Sequence, residues 1–292
     1  MPDSAHERKH RTIGAVPLRR PLVLAASMAA VFMAAVEGTI VATAMPTIVA
    51  ELGGFRLFTW VFAVYLLTQA VTIPIYGRLA DLYGRKPVFY VGAGIFLAGS
   101  TLSGFAPSMI MLVIFRTLQG LGAGAIMPIA TTIVGDIYEP SERARVQGYV
   151  SSVWGVSSVI GPVLGAFLVQ QVSWRVIFWI NLPIGGAAIT LLALFLHQRP
   201  EPRQHKIDYL GSLLLMLGVG MLMLALVQGE VLGTAAAAGL IVLAIGILAV
   251  LLLHERRSAE PMLPLDLWRN RIIALCNGGG FLVGTLIMAV TA

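Results

Sequence analysis

The chain has 292 residues, of which 58% are hydrophobic and only 12% are charged, and its mean hydropathy is +0.86. Soluble domains carry about 25% charged residues, so this composition excludes a soluble globular protein and indicates a polytopic membrane protein. The net charge of +6 does not indicate nucleic-acid binding, because the basic residues cluster in loops on one side of the predicted membrane. With a single cysteine, Cys276, the chain cannot form an internal disulfide or a cysteine metal cluster.

Nine apolar segments long enough to cross a bilayer as helices follow one another along the chain. Helices are the expected conformation, because backbone polar groups in lipid must be hydrogen-bonded internally and no alternating strand pattern occurs. The predicted spans cover residues 21–48, 58–76, 87–105, 109–134, 146–169, 176–196, 210–228, 233–253 and 272–292.

The first span has a second interpretation. Arg19 and Arg20 precede the apolar run and Ala42–Ala44 resembles a small-residue cleavage site, which together outline a secretory signal peptide. The run is long for a signal, contains Glu37 and is followed by many further spans, so we predict a retained membrane helix.

The basic residues predict the orientation in the membrane. With the N-terminus inside, seventeen of the twenty Lys and Arg residues lie in cytoplasmic segments, whereas Arg56 and Arg175 lie outside and Arg116 lies within a span. This bias predicts a multi-pass membrane protein with a cytoplasmic N-terminus, and the expected location is the plasma (inner) membrane. The last predicted span reaches Ala292 without a polar tail, so we expect a truncated protein or a fragment.

Two ionisable residues, Glu37 and Arg116, lie deep within the predicted spans. A charge at the bilayer centre costs roughly 2.5–3.5 kcal/mol, so such residues normally face a cavity or a partner. Glu37 can bind and release a proton, since burial raises and a nearby cation lowers the pKa of a carboxyl, or it can contact a cationic substrate directly. Alternatively, the two residues form a structural ion pair that locks two helices together.

Polar residues at helical spacing predict a substrate cavity beside these charges. Positions 116, 119, 120, 123 and 127 share one face of the fourth span, and Tyr65 and Gln69 belong to an aromatic and polar stripe of the second. Aromatic walls with a few hydrogen-bonding groups are typical of ligand sites. Ordinary interhelical packing is the alternative. The predicted cavity residues are Tyr65, Gln69, Gln119 and Met127.

The segment Gly77–Pro87, between the second and third spans, holds four charges and two glycines. The glycines permit a tight turn, and Asp81 can accept a hydrogen bond from Arg85 four residues later or interact with a nearby helix N-terminus. The segment resembles the signature loop of the major facilitator superfamily, which latches one conformation of those carriers. The resemblance implies a latch, whereas the residues alone also fit a plain positive-inside anchor. The implied latch residues are Gly77, Asp81, Gly84, Arg85 and Lys86.

Two further segments resemble motifs associated with proton coupling. Leu112–Ala123 is similar to the superfamily's fourth-helix motif, whose arginine is linked to proton coupling, and this implies that role for Arg116. Glu37–Pro46 resembles the first-helix motif of the fourteen-spanner drug:proton antiporter branch, in which an aspartate commonly stands where this chain has Glu37.

Ser157–Ala166 resembles the fifth-helix antiporter motif, although Ser157 and Ala166 replace two of its glycines. Proline removes a backbone hydrogen bond and glycine lets helices approach closely, so this segment suits a hinge or a tight seal. The predicted hinge residues are Gly161, Pro162 and Gly165. A packing kink without a gating role is the alternative. Further similarity to the same branch lies in Trp174–Arg175, Asn181–Gly185, Lys206–Gly211 and Glu260–Leu265.

These resemblances imply an all-α major facilitator fold with four parts. They are a cytoplasmic tail (1–20), an N-terminal six-helix bundle (21–196), cytoplasmic loops with two extra linker helices (197–271) and the first helix of an incomplete C-terminal bundle (272–292). The implied function is proton-coupled export, by alternating access in the bilayer, of drugs or other small amphipathic or cationic molecules. No cofactor is implied, because the proton gradient supplies the energy and the chain has no P-loop ATP motif.

Two other functional classes remain open from the sequence. A membrane enzyme is disfavoured, because all five histidines lie in the tail or in cytoplasmic loops and no metal motif occurs. A non-transporting sensor or fragment would tolerate replacement of Glu37 or Arg116 without any change in flux. Within the transporters, the exporter of a specific natural product, lipid or metabolite is the alternative to a multidrug pump.

Overall fold

A computed structural model describes residues 19–196, 208–257 and 270–291. The backbone of these ranges is helical and contains no strand, which confirms the all-α prediction. A 3₁₀ turn, Phe55–Leu57, precedes the second helix. The helices are α1 (Arg20–Leu52), α2 (Phe58–Tyr83), α3 (Arg85–Gly104), α4 (Met109–Ile137), α5 (Pro140–Gln171), α6 (Val176–Trp179), α7 (Asn181–Phe195), α8 (Tyr209–Leu232), α9 (Thr234–Glu255) and α10 (Arg271–Thr291).

Seven helical segments of the described ranges are long and apolar enough to cross a membrane, and they coincide with predicted spans one to six and eight. The sixth of them joins α6 to α7 across Ile180. The seventh predicted span has a shorter apolar stretch, Leu210–Leu226, and the ninth corresponds to the helix α10. Most of the predicted tail, residues 1–18, and the loop residues 197–207 and 258–269 lie outside the described residues.

The segment Gly77–Pro87 is more helical than the sequence predicts. Helix α2 continues through Gly77 to Tyr83, so the expectation that Gly77 belongs to a turn is wrong. The break occurs at Gly84, whose φ of +88° lies in the left-handed region that favours glycine. Apolar residues at 79, 80 and 82 extend the buried side of α2 by two turns, which explains why the helix outlasts the predicted span.

Glycines bring α4 close to both of its main neighbours, α2 and α3. A Cβ atom at Gly124 would lie 2.8 Å from the Gln69 carbonyl oxygen of α2. On the other side of α4, a Cβ at Gly122 would lie 2.8 Å from the Phe96 Cα of α3. Both distances are too short for a side chain, so these positions let the backbones touch, as small residues do in membrane bundles.

Helix α5 packs on α1 through Gly161 and Gly165, both of which are buried. The Cβ that Gly165 lacks would lie 3.1 Å from Ile40 Cγ1. Pro162 is exposed, and α5 remains one helix from Pro140 to Gln171. The glycines therefore provide close packing against α1, and the hinge role of this segment stays a prediction.

The hairpin of α8 and α9 packs against α2 through α8. Asp208 begins α8 by accepting a hydrogen bond from the Gly211 backbone N–H at 2.8 Å, and its carboxylate lies 2.9 Å from His254 Nε2 at the end of α9. Burial favours the neutral acid, but the hydrogen bonds from Gly211, His254 and Leu210 outweigh it, so the pKa of Asp208 lies below its ordinary value.

Candidate functional site

Glu37 of α1 and Arg116 of α4 form a fully buried salt bridge between Oε1 and Nη1. The sequence does not show whether these two charges touch, and the structure brings them into contact. Two unit charges without water are tolerated only when each has further hydrogen-bond partners. The surrounding helices provide such partners on both sides.

The Arg116 guanidinium has further neighbours besides Glu37, among them the Phe178 ring at 5.9 Å from Cζ. Nη1 also lies 2.8 Å from Gln119 Oε1, one turn along α4, and Nε donates to the Val61 carbonyl oxygen of α2 at 3.3 Å. The Tyr65 ring covers the guanidinium with its centroid 4.1 Å from Cζ, which is a cation–π contact. Arg116 therefore ties α4 to both α1 and α2.

The second carboxylate oxygen of Glu37 accepts a hydrogen bond from Asn181, the first residue of α7. The Asn181 Nδ2 atom lies 2.7 Å from Glu37 Oε2 and 2.9 Å from Ser100 Oγ of α3. The Ser100 hydroxyl in turn donates to the Phe178 carbonyl oxygen of α6 at 2.7 Å. We call Glu37, Ser100, Arg116, Gln119 and Asn181 the Glu37 network. It connects α1, α3, α4 and the junction of α6 with α7.

Two predicted cavity residues, Tyr65 and Gln119, lie at this network. Both are buried, and neither the Tyr65 hydroxyl nor Gln119 Nε2 has a hydrogen-bond partner in the structure. Buried polar atoms usually have a hydrogen-bond partner, so these two atoms could each form a further hydrogen bond beside the ion pair. Gln69 and Met127 lie about one and two turns farther along α2 and α4, and both are half-buried.

The predicted latch residues lie at another end of the bundle and do not touch the Glu37 network. Arg85, at the start of α3, forms an ion pair with Asp136 near the end of α4. Lys86 Nζ donates to the carbonyl oxygens of Ala193 at 2.9 Å and Leu196 at 2.8 Å, and so caps the end of α7. Asp81 is exposed on the last turn of α2.

Sequence reasoning misses three residues of these sites. Asn181 lies in a recognised segment, and an amide within an apolar run is a signal that would have singled it out. Asp136 is an acid at the end of a predicted span, but its pairing with Arg85 depends on how α3 and α4 pack. Ser100 has no sequence signal, because serine is common inside membrane helices.

A metal centre is not visible in residues 19–196, 208–257 and 270–291, which contain no cluster of three His, Cys, Asp or Glu side chains suited to an ion. The Glu37 network contains one buried carboxylate, and a carboxylate is a group that can bind a proton or a cation.

Comparisons with known proteins match this chain to one superfamily and to bacterial relatives. The sequence model of the Major Facilitator Superfamily matches residues 27–292. The chain is 40% identical to the "Multidrug transporter protein MdtP" of Bacillus subtilis, covering 90% of this chain and 49% of that protein. It is 39% identical to "Multidrug resistance protein 3" of the same organism, covering 89% and 52%. The chain thus spans about half the length of these curated relatives.

A solved structure shares the fold. The crystal structure of the human organic anion transporter MFSD10 (TETRAN) superimposes with a TM-score of 0.57, over 70% of this chain and 55% of that one. The two sequences are 14% identical, so the likeness concerns the fold alone.

Proposed function

The chain belongs to the major facilitator superfamily, and we propose that it is part of a proton-coupled exporter of drugs or other small amphipathic molecules. The observation that carries this proposal is the buried Glu37–Arg116 pair and its connections to four neighbouring helices. The printed names of the two bacterial relatives, a multidrug transporter and a multidrug resistance protein, support the choice of substrate class.

Proton exchange at Glu37 gives the pair its proposed role. Protonation removes the charge that balances Arg116, and a buried cation without its partner is costly. The helices that hold the two side chains then have reason to adopt a different arrangement. A coupling ion shifts such an equilibrium only by its differential affinity for the two states, and the loss of the ion pair supplies that difference. Alternating access about a site at the membrane midplane would follow.

Substrate would bind next to the same carboxylate. The unused hydrogen-bonding capacity of Tyr65 and Gln119 lies beside Arg116, and Gln69 and Met127 extend this surface along α2 and α4. Methionine adapts to varied apolar shapes, which suits amphipathic molecules of different structure. A cationic substrate would compete with the proton for Glu37, and this competition is the simplest basis for antiport.

The latch residues would stabilise one of the two states. Arg85 with Asp136 and Lys86 with the end of α7 hold together the ends of α3, α4 and α7. Gly84 allows the sharp break between α2 and α3, and Asp81 remains accessible on α2. A Cβ at Gly77 would meet no atom within 4 Å, so in the proposal the close approach that this glycine permits occurs in the other state. Gly161, Pro162 and Gly165 would let α5 shift against α1.

Drug-driven proton release tests the proposal directly. The full-length protein, purified in detergent, is mixed with candidate cationic drugs in weak buffer, and released protons are measured for the wild type and for Glu37→Gln. Glu51→Gln is the matched control, because Glu51 lies on the same helix but pairs with Arg175 at its outer end. We expect release from the wild type and from Glu51→Gln, and none from Glu37→Gln.

The opposite result has a clear meaning. If drug binds and Glu37→Gln releases as many protons as the wild type, Glu37 has no part in coupling and the pair is structural. Specific metabolites and lipids tested in the same assay separate a multidrug pump from a dedicated exporter, since only the former responds to several unrelated cations.

A further inference from the structure

Asn181 holds the oxygen of Glu37 that Arg116 does not use. Its Nδ2 atom lies 2.7 Å from Glu37 Oε2, and both side chains are buried. From this geometry, and resting on the proposed function above, we propose that Asn181 is a positioning residue for proton exchange. It would hold the ionised carboxylate and couple protonation of Glu37 to the junction of α6 and α7.

The orientation of the Asn181 amide follows from its other neighbour. Ser100 donates its only hydroxyl proton to the Phe178 carbonyl oxygen. Toward Asn181, Ser100 Oγ can therefore only accept a hydrogen bond. The atom facing both Ser100 and Glu37 must therefore be the NH₂ group, which has two protons to donate. This chain of donors starts at a backbone carbonyl of α6 and ends at the carboxylate on α1.

The ionised form of Glu37 fits this arrangement and the neutral acid does not. Oε1 faces Arg116 and Oε2 faces Asn181, and both partners are donors. A protonated carboxyl is itself a donor and needs an acceptor. Arg116 has no acceptor atom, whereas the Asn181 amide acquires one by turning over to present Oδ1. Protonation of Glu37 on Oε2 would thus require this turn, together with a new partner for the Ser100 hydroxyl.

The position of Asn181 explains how a rotation of its side-chain amide could move the backbone. It is the first residue of α7, directly after the break at Ile180, and Ser100 and Phe178 fix it to α3 and α6. Among the residues that the structure describes, the other charged or titratable groups facing Glu37 are Arg116 of α4 and Tyr65 of α2, which interacts electrostatically with both. The neutral amide of Asn181 is therefore the partner whose removal changes the site without adding or removing a charge.

Infrared titration of the full-length protein in lipid vesicles tests the inference at the carboxyl itself. The band of the protonated Glu37 side chain is assigned as the difference between the wild type and Glu37→Gln, and its pH midpoint is measured. Asn181→Leu removes a donor to the ionised form, so the midpoint should rise by about one pH unit, the equivalent of one hydrogen bond to a charged group. Thr190→Val is the matched control, since Thr190 is exposed on the same helix and donates to the Gly186 carbonyl oxygen of that helix, and it should leave the midpoint unchanged.

A second variant protects the test against misfolding of Asn181→Leu. Ser100→Ala removes the acceptor that fixes the amide, so Asn181 turns over more easily and the midpoint should rise, though less than in Asn181→Leu. Wild-type midpoints in both variants would overturn the inference. The proposed function fails separately, when drug-driven proton release survives in Glu37→Gln. Lost release in that variant with unshifted midpoints would keep the exporter proposal and discard the role of Asn181.

Discussion

Gly161 of α5 faces Thr39 of α1 so closely that a Cβ at Gly161 would overlap the Thr39 hydroxyl oxygen. That hydroxyl cannot simply move away, because it donates to the Val36 carbonyl oxygen at 3.0 Å and a β-branched side chain has few rotamers. The contact lies two residues from Glu37 along α1. Close packing at Gly161 therefore holds α5 against α1 within one helical turn of Glu37.

Gly161→Ala should destabilise the protein by about 1–3 kcal/mol, the usual cost of forcing an extra methyl group into a packed interface. The measurement is thermal unfolding of the purified protein in detergent. Gly155→Ala on the same helix is the control, because no atom lies within 4 Å of the place of its Cβ and alanine favours the helix. Equal unfolding temperatures for the two variants would contradict the tight contact.

The buried pair should show strong energetic coupling between its members. Arg116→Gln alone leaves the Glu37 charge buried without its counterion, and breaking a buried pair in this way costs about 3–5 kcal/mol. Combining it with Glu37→Gln should recover part of that loss, since neither charge then remains. The test is a double-mutant cycle on unfolding free energies. Additive effects of the two substitutions would mean that the salt bridge is not a unit.

Hydropathy and charge were enough to predict the helical fold and most span positions, because lipid leaves the backbone few alternatives. The helix ends were harder to predict. Charged and glycine residues after position 76 resemble a loop, yet α2 continues to Tyr83. Its buried side persists there through Ala80 while Asp81 is exposed, and a linear hydropathy pattern does not separate these two sides.

The candidate site was predictable only in part. Glu37 and Arg116 stand out because charges within spans are rare, but their contact depends on how α1 packs against α4. Asp81 is four residues before Arg85, which predicts an ion pair along one helix. Gly84 ends the helix between them, however, and Arg85 forms its ion pair with Asp136. Asn181 and Ser100 become recognisable only when α3, α6 and α7 are brought together.

Lys86→Met should loosen the end of α7. The variant loses the hydrogen bonds to the carbonyl oxygens of Ala193 and Leu196, which then lack a charged donor. Amide hydrogen exchange in the last turn of α7 should become about tenfold faster, the equivalent of one charge-assisted hydrogen bond of roughly 1.5 kcal/mol. Lys86→Arg, which keeps the charge and the donors, should exchange almost as slowly as the wild type. Unchanged exchange in Lys86→Met would argue against the cap.

Acid should weaken the start of α8 through Asp208. Its pKa in the folded chain lies below the ordinary value, so its stabilising effect is complete above the unfolded value and disappears as the pH falls through the folded value. Amide exchange in the first turn of α8 should therefore accelerate as the pH is lowered from about 5 to about 3, because the ordinary pKa of aspartate is near 3.9. The measured rates are corrected for the intrinsic pH dependence of exchange.

Asp208→Asn keeps a good N-cap residue without the charge, and should remove this pH dependence. Asp81→Asn, which alters an exposed carboxylate on α2, should behave as the wild type. If α8 in Asp208→Asn still loosens with acid as the wild type does, another group is responsible.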